Sequence, residues 1–219
     1  MENVTDLLAY HINRNNGYAQ TPFTLNQTIF IGNTKNPFFS FYDSFANTIY
    51  NPQDNRYYSI IFMARKVNEY LETGKIPSGF ESLKDVCFDP KNMINSLINS
   101  NEHYIRYARE VLFEEVRKEF FNQLPSRQKC LWVIPQDEGQ KSLNYWNGLL
   151  KNKESRILSV RLTGKIHRTN QDYLTLTTNS FNYIREQAFR YWNGTSGNET
   201  ERDELLFEGF VTFIEEIKV

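Results

Sequence analysis

The C-terminal part of the chain contains a long apolar stretch, Glu204-Leu205-Leu206-Phe207-Glu208-Gly209-Phe210-Val211-Thr212-Phe213-Ile214. Its β-branched and aromatic residues are typical of a strand. The hydrophilic segment 193–203 precedes it, so we predict that the strand begins at Glu204. The chain is therefore expected to end on a long apolar strand with a carboxylate at its first position.

Upstream segments predict a mixture of strands and helices. We expect strands at 7–12, 130–134 and 157–162, a helix that ends near Gly74, a helix that opens at Asp137-Glu138, and helices at about 102–122 and 178–192. These elements do not alternate regularly, and no Gly-rich phosphate loop is present. The pattern favours an α+β fold over a Rossmann fold. A length of 219 residues fits a single domain spanning 1–219.

Two segments carry further structural predictions. Residues 18–58 are rich in Asn, Pro and aromatic residues without a helical period, which predicts short strands and a long loop that carries Phe38–Tyr42. The helix at 102–122 has an apolar stripe and a charged face. The stripe consists of Ile105, Ala108, Leu112, Val116 and Phe120. The charged face, predicted to be solvated, consists of Glu110, Glu114, Arg117 and Lys118.

Composition excludes several classes of protein. The formal charge is −1, which is not the basic footprint of a dedicated nucleic-acid binder. Cys87 and Cys130 lie in apolar, strand-like contexts without a Cys or His at metal spacing, so we expect buried free thiols and no metal. Neither a signal peptide nor an apolar run of membrane-spanning length is apparent, which predicts a cytoplasmic protein.

Three short motifs, far apart in sequence, carry groups suited to chemistry. His11 and Asn13 share one face of the first strand, where His11 either donates to a ligand or is satisfied by a nearby carbonyl. Ser126 and Arg127 offer a hydroxyl and a planar fork suited to ribose and pyrophosphate, or form an ordinary turn. Glu204 can stabilise positive charge developing on a sugar, but spacing alone does not separate it from its acidic neighbours.

Four stretches resemble a family of bacterial proteins grouped with the ADP-ribosyltransferase-like superfamily. They are 109–117, Leu124-Pro125-Ser126-Arg127, Ala188-Phe189-Arg190-Tyr191-Trp192-Asn193-Gly194 and Glu204-Leu205-Leu206-Phe207-Glu208-Gly209, together with Tyr10-His11-Ile12 on the first strand. The resemblance covers the first strand and most of 102–214. It leaves a variable insertion around 18–100.

The resemblance implies a split β-sheet core whose cleft holds NAD as co-substrate in a bent conformation. His11 would bind the adenosine-side ribose, assisted by Asn13, and Glu204 would hold the nicotinamide ribose and support transfer. Ser126 and Arg127 match the middle motif. An aromatic ring is expected to stack on nicotinamide, with Tyr42, Tyr57 and Tyr58 as candidates. The absence of a second glutamate beside Glu204 argues against modification of protein arginine.

The chain also resembles the ADP-ribosyltransferase toxins of three-part anti-phage systems, which implies mRNA adenine as acceptor and an antitoxin and a SecB-like chaperone as partners. Basic residues in the segment 153–165 either bind along a nucleic-acid phosphate backbone or protect a strand edge from aggregation. They are Lys153, Arg156, Arg161 and Lys165. Three alternatives stay open: a transferase acting on protein or DNA, an inert binding module of the same fold, and an unrelated α+β nucleic-acid-binding protein.

Overall fold

The computed structural model describes residues 1–13, 23–136, 140–150, 155–174, 180–195, 197 and 199–218. Its strands are β1 (Glu2–Asn13), β2 (Thr28–Ile31), β3 (Thr48–Asn51), β4 (Arg56–Ser59), β5 (Leu131–Pro135), β6 (Arg156–Asn170) and β7 (Asp203–Ile217). Its helices are α1 (Pro37–Ser44), α2 (Ile60–Thr73), α3 (Lys84–Cys87), α4 (Pro90–Phe120), α5 (Lys141–Leu150) and α6 (Phe181–Trp192). Helices thus accompany antiparallel strands, and the predicted α+β class is confirmed.

The chain forms two compact units. The first comprises 1–43 and 109–219, and the second comprises 44–108. The second unit has its own core around Met63, Val67 and Cys87, covered by the β3–β4 hairpin residues Ile49 and Tyr58. Helix α2 in this unit begins at the Ser59 cap and ends at Gly74, which adopts a left-handed conformation as expected for a C-cap glycine.

The sheet of the first unit divides along β7. Strand β6 pairs with β7 along one edge from Asp203 to Ile217. On the other edge, β5 pairs with Leu205–Phe207 and β2 pairs with Gly209–Thr212. Strand β1 joins β5 to β6, so the strands β7, β5, β1 and β6 close a ring to which β2 is added. One gap therefore opens beside β7, where β5 ends and β2 begins.

The closed ring requires sharp bending of three strands at one level. Gly164 of β6 lies opposite both Val4 of β1 and Gly209 of β7. A register shift follows Val4, and Gly209 has φ of +143°. A Cβ atom on Gly209 would lie 2.5 Å from the Thr163 carbonyl oxygen, so the close approach of β6 to β7 requires glycine.

The two faces of β7 contact different cores. Leu205, Phe207 and Val211 point into the interior of the strand ring. Leu206 points the other way and packs against Phe113 of α4 and Ala188 of α6. Side chains alternate along a strand, so Glu204 shares the face of Leu206 and is directed towards the helices.

Several sequence predictions need correction. Phe38–Tyr42 lie in α1 and not in a loop, and Cys87 lies in α3 and not in a strand. Helix α4 begins twelve residues earlier than the predicted start at 102. Its apolar stripe is only partly right, because Val116 is buried but Phe120 is 53% exposed. Both cysteines are buried free thiols, as predicted, and the start of the helix predicted at Asp137-Glu138 lies outside the described residues.

Candidate functional site

Two adjoining cavities are both lined by residues of the first unit. The first cavity, of about 320 Å³, lies between β2 and β5 and is lined by Ile29, Ile31 and Leu131 among others. The second cavity, of about 260 Å³, faces α4, α5 and the start of β7. His11 and Trp132 line both cavities. Their sizes are close to the lower end of the range of small-molecule sites, roughly 300–1,000 Å³.

His11 stands at the junction of the two cavities as a neutral imidazole. Its Nδ1 atom lies 2.9 Å from the Trp132 carbonyl oxygen, which must accept, so Nδ1 carries the hydrogen and Nε2 is the free acceptor. Burial lowers the pKa of His11 to about 4, although the Trp132 hydrogen bond opposes this shift. The sequence left two roles open for His11, contact with a ligand and a hydrogen bond to a nearby carbonyl. The two roles are compatible, because they use different ring nitrogens.

The depressed pKa of His11 predicts acid destabilisation. Between pH 7.5 and 5 the unfolded chain binds a proton on this ring, whose pKa is then near 6.5, while the folded chain does not. Stability contributed by the neutral ring is therefore complete above pH 6.5 and falls as the pH drops towards 4. The expected loss from His11 is about 2 kcal/mol at pH 5, measured by urea unfolding across this range.

His11→Asn is the matched control, because the Asn amide retains a donor for the Trp132 carbonyl but does not titrate. The buried His167 has its pKa lowered to about 4 by burial and contributes equally to both proteins. The free energy of unfolding of the variant should therefore fall less steeply with acid than that of the wild type. Parallel pH curves for the two proteins would contradict the assignment.

Arg127 is a buried cation whose donors are bound by the protein itself. Its Nε donates to Glu110 Oε2 at 2.9 Å, and its Nη1 donates to Glu204 Oε1 at 2.6 Å and to the Tyr191 hydroxyl. Burial lowers the pKa of Arg127, but Glu110, Tyr191 and Glu204 together raise it well above its usual value. The fork expected to bind pyrophosphate is thus directed at two carboxylates.

Glu204, the second residue of β7, lines the second cavity and is only 7% exposed. Its Oε1 atom accepts hydrogen bonds from Arg127 and from the Tyr191 hydroxyl. Its Oε2 atom makes no hydrogen bond to the described residues. One oxygen is therefore held by the protein, and the other is available to a ligand.

Helix α4 supplies two carboxylates that the sequence did not indicate as buried. Glu110 and Glu114 are 2% and 6% exposed, so the prediction of a solvated face is wrong at these positions. Glu110 binds Arg127 and also accepts from Arg109 Nη2 at 2.7 Å. Glu114 accepts from the Ser126 hydroxyl at 3.0 Å and pairs with Arg117. Residues four apart lie on one helix face, and this face binds the predicted middle motif.

The remaining predicted ligand residues are not among those that line the second cavity. Ser126 donates to Glu114 and lines neither cavity, while Asn13 lines only the first. Tyr42 is buried in α1 against Phe38, and Tyr57 and Tyr58 belong to the second unit. The aromatic rings that line the second cavity are Phe38, Trp132 and Trp146. Sequence reasoning missed Trp132, although it lies in a strand that was correctly predicted.

The basic residues considered for nucleic-acid binding lie mostly beside acidic ones. Arg156 Nη2 is 2.9 Å from Glu216 Oε2, and Lys165 lies opposite Glu208 in register. Arg161 is exposed and lies between Leu8 and Thr212, whereas Lys153 lies outside the described residues. Strand β6 pairs with β1 from Arg156 to Ile166 and with β7 from Ile157 to Asn170, so the alternative that charges protect a free strand edge does not apply between Ile157 and Ile166.

A family model described as "Protein of unknown function (DUF2441)" matches residues 9–219. The chain belongs to this family. A search of curated proteins found no match. The DUF2441 match includes His11, the middle motif and Glu204. All residues that line the two cavities therefore lie within the region that the family model matches.

The described residues show neither a metal-binding cluster nor a membrane-spanning helix. They contain no group of three or more His, Cys, Asp or Glu side chains placed to hold a metal ion. None of their helices combines the length and apolar character of a membrane span.

Proposed function

We propose that the chain is a NAD-dependent mono-ADP-ribosyltransferase in which Glu204 is the catalytic residue. The observation that carries the proposal is that His11, Arg127 and Glu204, which are distant in sequence, line one cavity. A resemblance in sequence singled out these same residues. Convergence of predicted polar residues on a concave, largely apolar cavity is the usual mark of a ligand site.

The divided sheet supports the same proposal. A bent dinucleotide needs two connected compartments, and His11 and Trp132 border both cavities. The first cavity contains cations for a pyrophosphate: Lys35 is paired with Asp43, but Lys129 forms no ion pair with the described residues. Lys129 therefore replaces Arg127 in our proposal as the cation that contacts phosphate.

NAD supplies an ADP-ribosyl group. Its C1′–N bond breaks and nicotinamide leaves with the electron pair, while the acceptor nucleophile bonds to C1′ and releases its proton to water. Glu204 Oε2 accepts a hydrogen bond from the nicotinamide ribose, and its charge stabilises the cationic transition state. His11 Nε2 accepts a hydrogen bond from a hydroxyl of the adenosine-side ribose. The rings of Trp132 and Trp146 exclude water from the second cavity.

RNA is the acceptor that we propose, with adenine as the modified base, and the biological role is that of an anti-phage toxin. This part depends on the resemblance to anti-phage toxins. A toxin of this kind requires restraint in the producing cell, for which an antitoxin and a SecB-like chaperone are the proposed partners. Exposed Arg161 on β6 is the described basic residue best placed to contact phosphate, because no carboxylate lies opposite it.

Incubation with NAD labelled on its adenylate phosphate should transfer label to total RNA. We expect Glu204→Gln to lower the transfer rate at least about 100-fold, because the neutral amide does not stabilise the developing cation. Glu215→Gln, which changes an exposed glutamate on the same strand, is the matched control and should retain the wild-type rate. Parallel incubations with DNA and cell protein distinguish the acceptor. Equal labelling by wild type and Glu204→Gln would contradict the proposal.

One observation favours a second candidate, an inert binding module of the same fold. Glu204 is already paired with Arg127 in a buried network, which is also the arrangement of a purely structural ion pair. For such a module, NAD would bind with saturation in a calorimetric titration, but neither transfer nor release of nicotinamide would occur. Detection of free nicotinamide therefore separates the two candidates.

A further inference from the structure

We infer that Arg127 and Tyr191 are positioning residues that orient the Glu204 carboxylate, and that Glu110 holds Arg127 in place for this purpose. The inference rests on the proposed function of Glu204. It assigns to Arg127 a role different from ligand binding, and it gives a role to Tyr191, for which the sequence indicated none. The residues come from α4, the segment before β5, α6 and β7.

Both donors converge on the same oxygen of Glu204. Arg127 Nη1 lies 2.6 Å from Oε1, and the Tyr191 hydroxyl donates to that atom as well. Two donors on one carboxylate oxygen fix the rotation of the whole group about its last bond. The second oxygen, Oε2, is thereby fixed in direction, which is what a catalytic carboxylate needs at a reacting sugar carbon.

Arg127 is itself held from several sides. Glu110 accepts from its Nε at 2.9 Å, and Arg109 bridges Glu110 to the Leu174 carbonyl oxygen at 2.7 Å. The guanidinium carbon lies 5.0 Å from the centroid of the Tyr191 ring and 5.5 Å from that of Trp132. A planar guanidinium that is bound through its fork and covered by aromatic rings has little rotational freedom.

Tyr191 is equally well fixed. Its side chain is completely buried, and its ring packs against Phe113 and Trp192. The Thr169 hydroxyl donates to its carbonyl oxygen at 2.9 Å, and Thr169 lies opposite Glu204 in the β6–β7 ladder. Burial keeps the phenol protonated, so its hydroxyl is a donor to the carboxylate at any physiological pH.

The composition of the network agrees with a positioning role. Two guanidinium groups and two carboxylates balance to zero net charge. Burying four such groups is costly, and well-packed apolar residues usually give equal or greater stability. Stability alone therefore does not explain the network, whereas the need to hold one carboxylate oxygen in a chosen direction does.

The test uses Tyr191→Phe, which removes the hydroxyl and preserves the buried ring. In the assay with labelled NAD and total RNA, kcat should fall about 10–100-fold, while KM for NAD should change less than about threefold. Tyr183→Phe, in the same helix but partly exposed, is the matched control and should behave as wild type. Unchanged kcat in Tyr191→Phe, with Glu204→Gln inactive, would overturn the inference and leave the proposed function intact.

A second readout does not depend on activity. Tyr191→Phe should lower the folding equilibrium constant by about tenfold or more in the wild-type background, because the lost bond was made to a carboxylate. In the Glu204→Gln background the same change should have an effect at least about threefold smaller. Equal effects in both backgrounds would overturn the inference even if the chain transfers no ADP-ribose. If the effects of the two substitutions are coupled but the chain transfers no ADP-ribose, the inference that Tyr191 orients Glu204 stands and the proposed reaction is wrong.

Discussion

Arg127→Met is expected to lower the free energy of unfolding by about 3–5 kcal/mol. The substitution keeps the length of the side chain but leaves Glu110 and Glu204 as buried carboxylates without their shared cation. Burial raises the pKa of Glu110, and Arg127 together with Arg109 reverses that shift to a lowered pKa. Without Arg127, Glu110 takes up a proton more readily, so the deficit should shrink as the pH falls from 7.5 to 5. Denaturant unfolding at several pH values measures both effects.

Arg185→Met is the control for this prediction. Arg185 pairs with Glu115 and Glu119 on the surface, where its side chain is 38% exposed, so its removal should cost less than about 1 kcal/mol. Adding Glu110→Gln and Glu204→Gln to Arg127→Met should recover part of the lost stability. If Arg127→Met is no more destabilising than Arg185→Met, the buried charges do not act as one unit.

Gly209→Ala is expected to destabilise the chain by about 3–5 kcal/mol through backbone strain and overpacking combined. Gly209 has φ of +143°, which an alanine rarely adopts. Its new methyl group would lie 2.5 Å from the Thr163 carbonyl oxygen and 2.7 Å from Gly164 Cα, and both are backbone atoms that cannot rotate away. Thermal and denaturant unfolding should show the loss, and the variant is expected to accumulate poorly on expression.

Gly148→Ala makes the same chemical change where the structure permits it. Gly148 lies in α5, has no heavy atom within 4 Å of the position of a Cβ atom, and has ordinary helical dihedrals. Alanine there should stabilise the chain by about 0.5–1 kcal/mol. A Gly209→Ala protein as stable as the wild type would mean that β6 and β7 do not approach as closely as described.

The elements that could be predicted from sequence are those whose signal is local. The apolar content of β7 and the glycine that ends α2 at Gly74 are readable within a few residues, and the predicted strand and helix are confirmed. Phe38–Tyr42 were assigned wrongly, because a helix of eight residues is shorter than the window of about 11–18 residues over which a helical period is recognised. The closed strand ring has no local signal, since it depends on pairing between residues far apart.

The candidate site was predictable only in part for the same reason. Glu204 and His11 lie on strands that the sequence predicts, and the family resemblance assigned both residues to one ligand site. Glu110 is charged, lies within a charged run and is nevertheless buried, and a sequence pattern assigns such a residue to the surface. Its burial depends on Arg127, and only the fold brings these two side chains together.

The closed ring of strands also determines when the site can first exist during synthesis. Among the described strands, β1 pairs with β5 and β6, whose residues leave the ribosome much later, and β7 follows them. At typical elongation rates of about 5–20 residues per second, β1 waits roughly 7–30 s for β6. A nascent or prematurely terminated chain therefore carries His11 but cannot close the cavity around Glu204. Any activity of the site is withheld until β7 has been synthesised.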